Sequence, residues 1–106
     1  MNSKEALVRT VSDRIAESLP LLPRHLRAWA ERHLITPRAI QLFVGLASDV
    51  RREFWLVTDH TGADDSSYRV IYDAEENLFG LAVTLDDGRA CLLGLHRSFA
   101  ESVDAM

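Results

Sequence analysis

The residues with the most chemical capacity in this sequence fall in one short stretch, Asp59-His60-Thr61-Gly62-Ala63-Asp64-Asp65-Ser66-Ser67. A histidine beside a carboxylate is the pairing that general-base chemistry uses, and clustered carboxylates are what a divalent cation takes as ligands. A second acidic pair, Asp86-Asp87, stands just before Gly88. In a four-strand meander the first and third connections leave the sheet at the same end. Such a fold would collect His60 with Asp59, Asp64, Asp65, Asp86 and Asp87 at that end. The competing reading is plainer, because Asp, Ser and Gly are turn residues that bond their own backbone or permit its bends. No nucleophile or oxyanion donor is set beside His60 by a known spacing. No catalytic residue is therefore assigned, and the six residues are expected to form a binding surface rather than an active site.

Other chemical patterns are weaker. His25 and His33 are eight residues apart, about two helical turns or roughly 12 Å, too far for both rings to reach one ion. No His-x-x-x-His, Cys-x-x-Cys or calcium-loop pattern occurs, so neither a metal nor any other cofactor is expected. The five glycines are scattered singly, which leaves no phosphate-cradling loop. The lone cysteine, Cys91, lies among Ala90, Leu92 and Leu93 and reads as a small buried hydrophobe. The stretch from Leu26 to Val44 has a helix-turn-helix rhythm, but its second helix would offer only Arg38 and Gln41 before Ser48. Nucleic-acid binding is not expected from so bare a recognition face.

These residues need elements to hold them, and the chain's periodicity changes near its midpoint. From Ser3 to Ser18, Leu7, Val8, Val11 and Ile15 recur at helical spacing, with Ser3 as N-cap and Pro20 as the stop. A second helix starts near Pro23 and turns Leu26, Trp29 and Ala30 inward. Thr36-Pro37 reads as another cap and first turn, opening a third helix to about Ala47 that is apolar nearly all round and so predicted to be central. From Glu53 the pattern is that of strands: Phe54–Val57, Tyr68–Tyr72, Leu78–Leu85 and Arg89–Leu95. Asp87-Gly88 predicts a tight hairpin between the last two. Ser98-Phe99-Ala100-Glu101 is a capping box for a short final helix. The expected fold is α+β: three N-terminal helices, a four-stranded antiparallel meander and a short C-terminal helix. It is expected to be one domain over 1–106, with a helical part (1–50) and a part holding the sheet and last helix (51–106).

Strands three and four of that meander are apolar on both sides. Leu78, Ala82, Ala90 and Leu92 lie opposite the Phe79, Leu81, Val83 face. A half-solvated sheet alternates with polar residues instead. If three consecutive helices pack on one face, the second is left bare, and a homodimer through Leu78, Ala82, Ala90 and Leu92 is the expected consequence.

At 106 residues, 47% apolar and 26% charged, the chain is an ordinary globular domain. Its net charge of −4 divides unevenly: residues 1–52 sum to +4 and residues 53–106 to −8. The apolar runs are far shorter than a membrane span of about 20 residues, and Met1–Glu5 has no basic segment running into an apolar one. A cytoplasmic location with no membrane association is expected, and the arginine-rich basic set suits a GC-rich, bacterial-type genome. The functional expectation is a non-catalytic protein-binding module. It would act through the acidic sheet end or the apolar sheet face, as toxin-neutralising proteins act by occupying a partner. The alternative is a small-ligand binder or small enzyme built on His60 and its neighbouring carboxylates.

Overall fold

The computed structural model describes residues 3–59 and 68–106. Helix α1 runs Ser3–Ser18, as its periodicity predicts, and Pro20 falls in a single 3-10 turn, Leu19–Leu21, that breaks it from α2 (Arg24–His33). The side chain of Ser3, the predicted cap, lies outside the described residues. Five strands follow: β1 (Leu34–Phe43), β2 (Arg51–Thr58), β3 (Arg69–Asp73), β4 (Leu78–Thr84) and β5 (Ala90–His96), and then α3 (Phe99–Asp104). The protein is α+β, but the sheet is a closed five-stranded barrel rather than a four-stranded meander.

The additional strand, β1, overlaps the segment expected as a central third helix. Ile40 and Leu42 pack into one core while Ala39 and Gln41, each preceding one of them, are exposed, an alternation of period two that a run apolar on all sides conceals. Tertiary pairing decides the outcome, with β1 antiparallel to β2 from Arg38↔Leu56 to Phe43↔Arg51. The Thr36-Pro37 signal also has another cause. Between Leu34↔Thr58 and Arg38↔Leu56 the register shifts, so four residues of β1 advance where β2 advances two, and Pro37 sits in that irregular stretch. Proline, with no N–H to give a ladder, is tolerated at bulges and edges.

Consecutive strands pair antiparallel around the barrel, and β1 meets β5 in parallel through Phe43↔Cys91. Two apolar cores result. The outer one lies between barrel and helices, where Val11 and Ile15 of α1, Ala30 of α2, and Phe99 and Val103 of α3 cover Trp55, Val57, Tyr72 and Phe79. The inner one is made of strand residues alone: Leu42, Phe54, Leu56, Ile71 and Ala82, with Ile35, Ile40, Ala90, Leu92 and Leu95 against them. Each large side chain so buried contributes about 1.5–3 kcal/mol. Both faces of the sheet are therefore used, one by helices and one by the barrel's own closure.

That closure corrects the expected interface. Ala82 is 2% exposed inside the barrel, and Ala90 and Leu92 pack against the same inner core, while Leu78 at the start of β4 is half-buried. A four-stranded sheet would have left this face bare. Here β1 covers it, and the uncovered patch that motivated a dimer through those four residues is absent.

The turns are held by local chemistry. Gly88 (φ 89°) takes the left-handed position in the β4–β5 hairpin, and Asn77 (φ 56°) does so between β3 and β4. Asp73, fully buried, accepts two hydrogen bonds from Arg52 Nη2 at 3.0 Å, and its Oδ1 also accepts from the backbone N–H of Glu75. Arg52 in turn pairs with Glu75 and lies over the Phe54 ring. The carboxylates hold the Arg52 guanidinium pKa above its ordinary value, chiefly through the Asp73 hydrogen bond, with burial opposing.

Candidate functional site

Of the six residues of the sequence-predicted acidic end, His60, Asp64 and Asp65 lie outside the described residues. Asp59 is taken up by α2: its Oδ1 is 3.2 Å from His33 Nδ1, and its backbone N–H donates to the His33 carbonyl at 2.9 Å. His33 also packs its ring 4.9 Å from that of Trp29. The histidine beside Asp59 is thus one that sequence reading placed on a helix face. Its closeness to Asp59 depends on α2 running straight into β1, which no local signal announces.

Asp86 and Asp87 are exposed at the β4–β5 hairpin, where Asp87 Oδ1 accepts the backbone N–H of Arg89. That is the turn role their residue type predicts. Arg89 ties the hairpin to the β1–β2 connection, its Nη2 donating to the Ser48 carbonyl. Among the described residues no group of three or more His, Cys, Asp or Glu side chains is placed to hold a metal ion.

The β1–β2 connection, Val44 to Val50, carries two of the four most exposed large apolar side chains among the described residues: Leu46 is 51% exposed and Val50 60%, the other two being Leu21 on the 3-10 turn and Leu93 in β5. The loop is nonetheless internally bonded. The Val44 N–H donates to the Val50 carbonyl at 2.9 Å, the Ser48 N–H to the Gly45 carbonyl at 3.3 Å, and the Val50 N–H to Ser48 Oγ at 3.0 Å. At its base Phe43 carries two guanidinium groups, Arg89 with Cζ 4.3 Å from the ring centroid and Arg51 at 5.7 Å. Among the described residues neither has a carboxylate within ion-pairing distance, whereas Arg52 next in sequence has two. The tip is therefore an ordered apolar projection with unneutralised positive charge behind it.

Sequence reading missed this site because Leu46 and Ala47 were placed at the end of a buried helix. The available signal was Gly45 followed by Ser48-Asp49, turn-forming residues that interrupt the apolar run.

Concave sites are several surface depressions. One of about 160 Å³ lies between Arg14, Glu17, Phe79 and Ser98, and one of about 230 Å³ is lined mostly by apolar side chains of α1 and β1. Three others reach the roughly 300–1,000 Å³ usual for ligand pockets: about 450 Å³ beside Leu21, Pro23, Ala100 and Asp104, about 660 Å³ between Lys4, Val8, Arg9 and Thr36, and about 430 Å³ along Thr84–Asp87. Among the described residues no helix is long and apolar enough to cross a membrane. Comparison with known protein families, curated proteins and solved structures finds no match to this chain.

Proposed function

We propose that this protein is a non-catalytic protein-binding module whose working surface is the β1–β2 tip. The observation that carries the reading is the combination at one place of exposed Leu46 and Val50 on an internally bonded loop. An apolar side chain that water would rather expel is unremarkable when single, but a cluster rimmed by polar groups is the usual mark of a contact surface. A loop already held in shape loses less conformational entropy on binding. Arg51 and Arg89, stacked on Phe43 and free of carboxylate partners among the described residues, supply the charged rim. The matching partner is a protein surface with an apolar recess and carboxylates around it.

The acidic end is the weaker candidate surface, since Asp59 is engaged by His33 and Asp87 by its own turn. The test is quantitative affinity capture from the source organism's lysate with the native chain and the double variant Leu46→Asp/Val50→Asp. A protein retained by the native chain and lost with the variant supports the reading. Equal retention by both, or none by either, would refute it.

A further inference from the structure

The acidic β4–β5 hairpin and the tip meet through one side chain, Arg89. Its main chain is held from both sides: the Arg89 N–H donates to Asp87 Oδ1 at 3.0 Å, and its carbonyl accepts the Leu85 N–H at 2.8 Å, in a turn that the Gly88 N–H closes on the Leu85 carbonyl at 2.9 Å. From that fixed base the half-buried side chain lies over Phe43, with Cζ 4.3 Å from the ring centroid, and Nη2 donates to the Ser48 carbonyl. Ser48 is the residue that shapes the tip. Its Oγ accepts the Val50 N–H at 3.0 Å, and its own N–H donates to the Gly45 carbonyl at 3.3 Å. Arg51 shares the Phe43 ring but is placed differently: it is exposed, its Cζ is 5.7 Å from the centroid, and among the described residues its guanidinium makes no hydrogen bond.

With the tip as working surface, as proposed above, we infer that Arg89 is its positioning residue and that Asp87 acts on the tip through Arg89. The two arginines on Phe43 then have separate roles. Arg51 contributes charge at the rim, whereas Arg89 fixes the shape in which Leu46 and Val50 are presented. A long side chain held by a ring stack and a main-chain acceptor is ordered before a partner arrives, and a surface already ordered binds more tightly than one ordered on contact. Lysine is no substitute at such a place. Its ammonium keeps the charge but has no planar group to lie on the ring while a second nitrogen reaches Ser48. Asp87 changes role as well: its carboxylate oxygen engages the Arg89 N–H, which makes it a support for the tip instead of a contact surface of its own.

Amide hydrogen exchange of the free chain, followed residue by residue by NMR, tests this without a partner, so a tip that captures no protein would sink the binding reading alone. Arg89→Gln and Arg89→Lys should each speed exchange at Ser48 and Val50 by about threefold to tenfold, the range expected for one lost hydrogen bond. Arg51→Gln should leave both amides at their native rates. Ser98→Ala, which removes the cap of α3, should also leave them unchanged, because loop amides exchange by local opening and do not follow a general loss of stability. Asp87→Ala should speed the same two amides in the native background and add nothing in an Arg89→Gln background. Native rates in Arg89→Gln, native rates restored by Arg89→Lys, equal acceleration by Arg51→Gln or Ser98→Ala, or additive effects of Asp87→Ala and Arg89→Gln would each overturn the inference.

Discussion

Gly80→Ala is the substitution to which the barrel interior should respond most clearly. A Cβ at this position would lie 2.4 Å from the Gly94 carbonyl oxygen, 2.9 Å from Leu95 Cδ2 and 3.3 Å from Ile71 Cδ1, where ordinary contact begins at 3.4 Å. The nearest of these is main chain, so relief needs a displacement of about 1 Å in the β4–β5 ladder, where Gly80 is opposite Leu95 and Leu81 opposite Gly94. Overpacking of this kind costs about 1–3 kcal/mol, and removing glycine from the unfolded chain returns about 0.4–1 kcal/mol. The net expectation is a destabilisation of about 1–2 kcal/mol, or roughly 5–15 °C in Tm for a domain of this size. Gly94→Ala is the internal control, since its Cβ would meet nothing within 4 Å and its backbone is not in the left-handed region. It should be neutral or slightly stabilising. Urea and thermal unfolding followed by circular dichroism, at concentrations low enough to exclude self-association, compare the two. A Gly80→Ala protein as stable as the native chain, or a Gly94→Ala protein less stable than Gly80→Ala, would refute the closed packing of β4 and β5 around Ile71 and Leu95.

Three further outcomes are expected. Asp73→Asn removes the charge that Arg52 pairs with inside the β3–β4 corner and should cost about 2–3 kcal/mol in urea unfolding, with Arg52→Met more damaging than Asp73→Asn because it leaves the fully buried Asp73 carboxylate without its cation, whereas Arg52 is partly exposed and keeps Glu75. Ser98→Ala removes the Oγ that accepts the Glu101 N–H at 3.1 Å and should lower stability by about 1 kcal/mol, because α3 is docked through buried Phe99 and Val103; an unchanged midpoint would mean a frayed helix. His33→Ala and Asp59→Ala, combined in a double-mutant cycle, should show a coupling of no more than about 1 kcal/mol, since Asp59 is half exposed.

What the sequence made legible follows from which signals are local. The span of α1, the break at Pro20, the start of α2 after Pro23, the Asp87-Gly88 hairpin and the Ser98 cap are each fixed by a few neighbouring residues, and the structure agrees with them. The capping box is shifted by one residue on its return arm, where Glu101 accepts from the Arg97 N–H. The segment from Leu34 to Phe43 failed because its state is decided by what lies beside it. Ile40, Leu42 and Phe43 suit a buried helix as well as a strand, and only the partner strand from Arg51 to Thr58 resolves the choice. That single error spread outward. With β1 absent from the sheet, Ala82, Ala90 and Leu92 looked like an open face, and Leu46 looked buried. Of the candidate site, the turn role of Asp87 was readable from residue type, whereas the pairing of Asp59 with His33 and the stacking of Arg51 and Arg89 on Phe43 join residues that only the closed barrel brings together.

Site-specific photo-crosslinking in the source organism tests the binding surface most directly. A benzophenone amino acid placed at Leu46, at the centre of the tip, is compared with the same group at Leu21, which is equally apolar and more exposed but lies on the 3-10 turn rather than in the β1–β2 connection. The tip reading predicts one discrete adduct to another protein from position 46 and none from position 21, with the adduct weakened when Arg51 and Arg89 are both changed to glutamine. No adduct at position 46, or the same adducts from both positions, would contradict it.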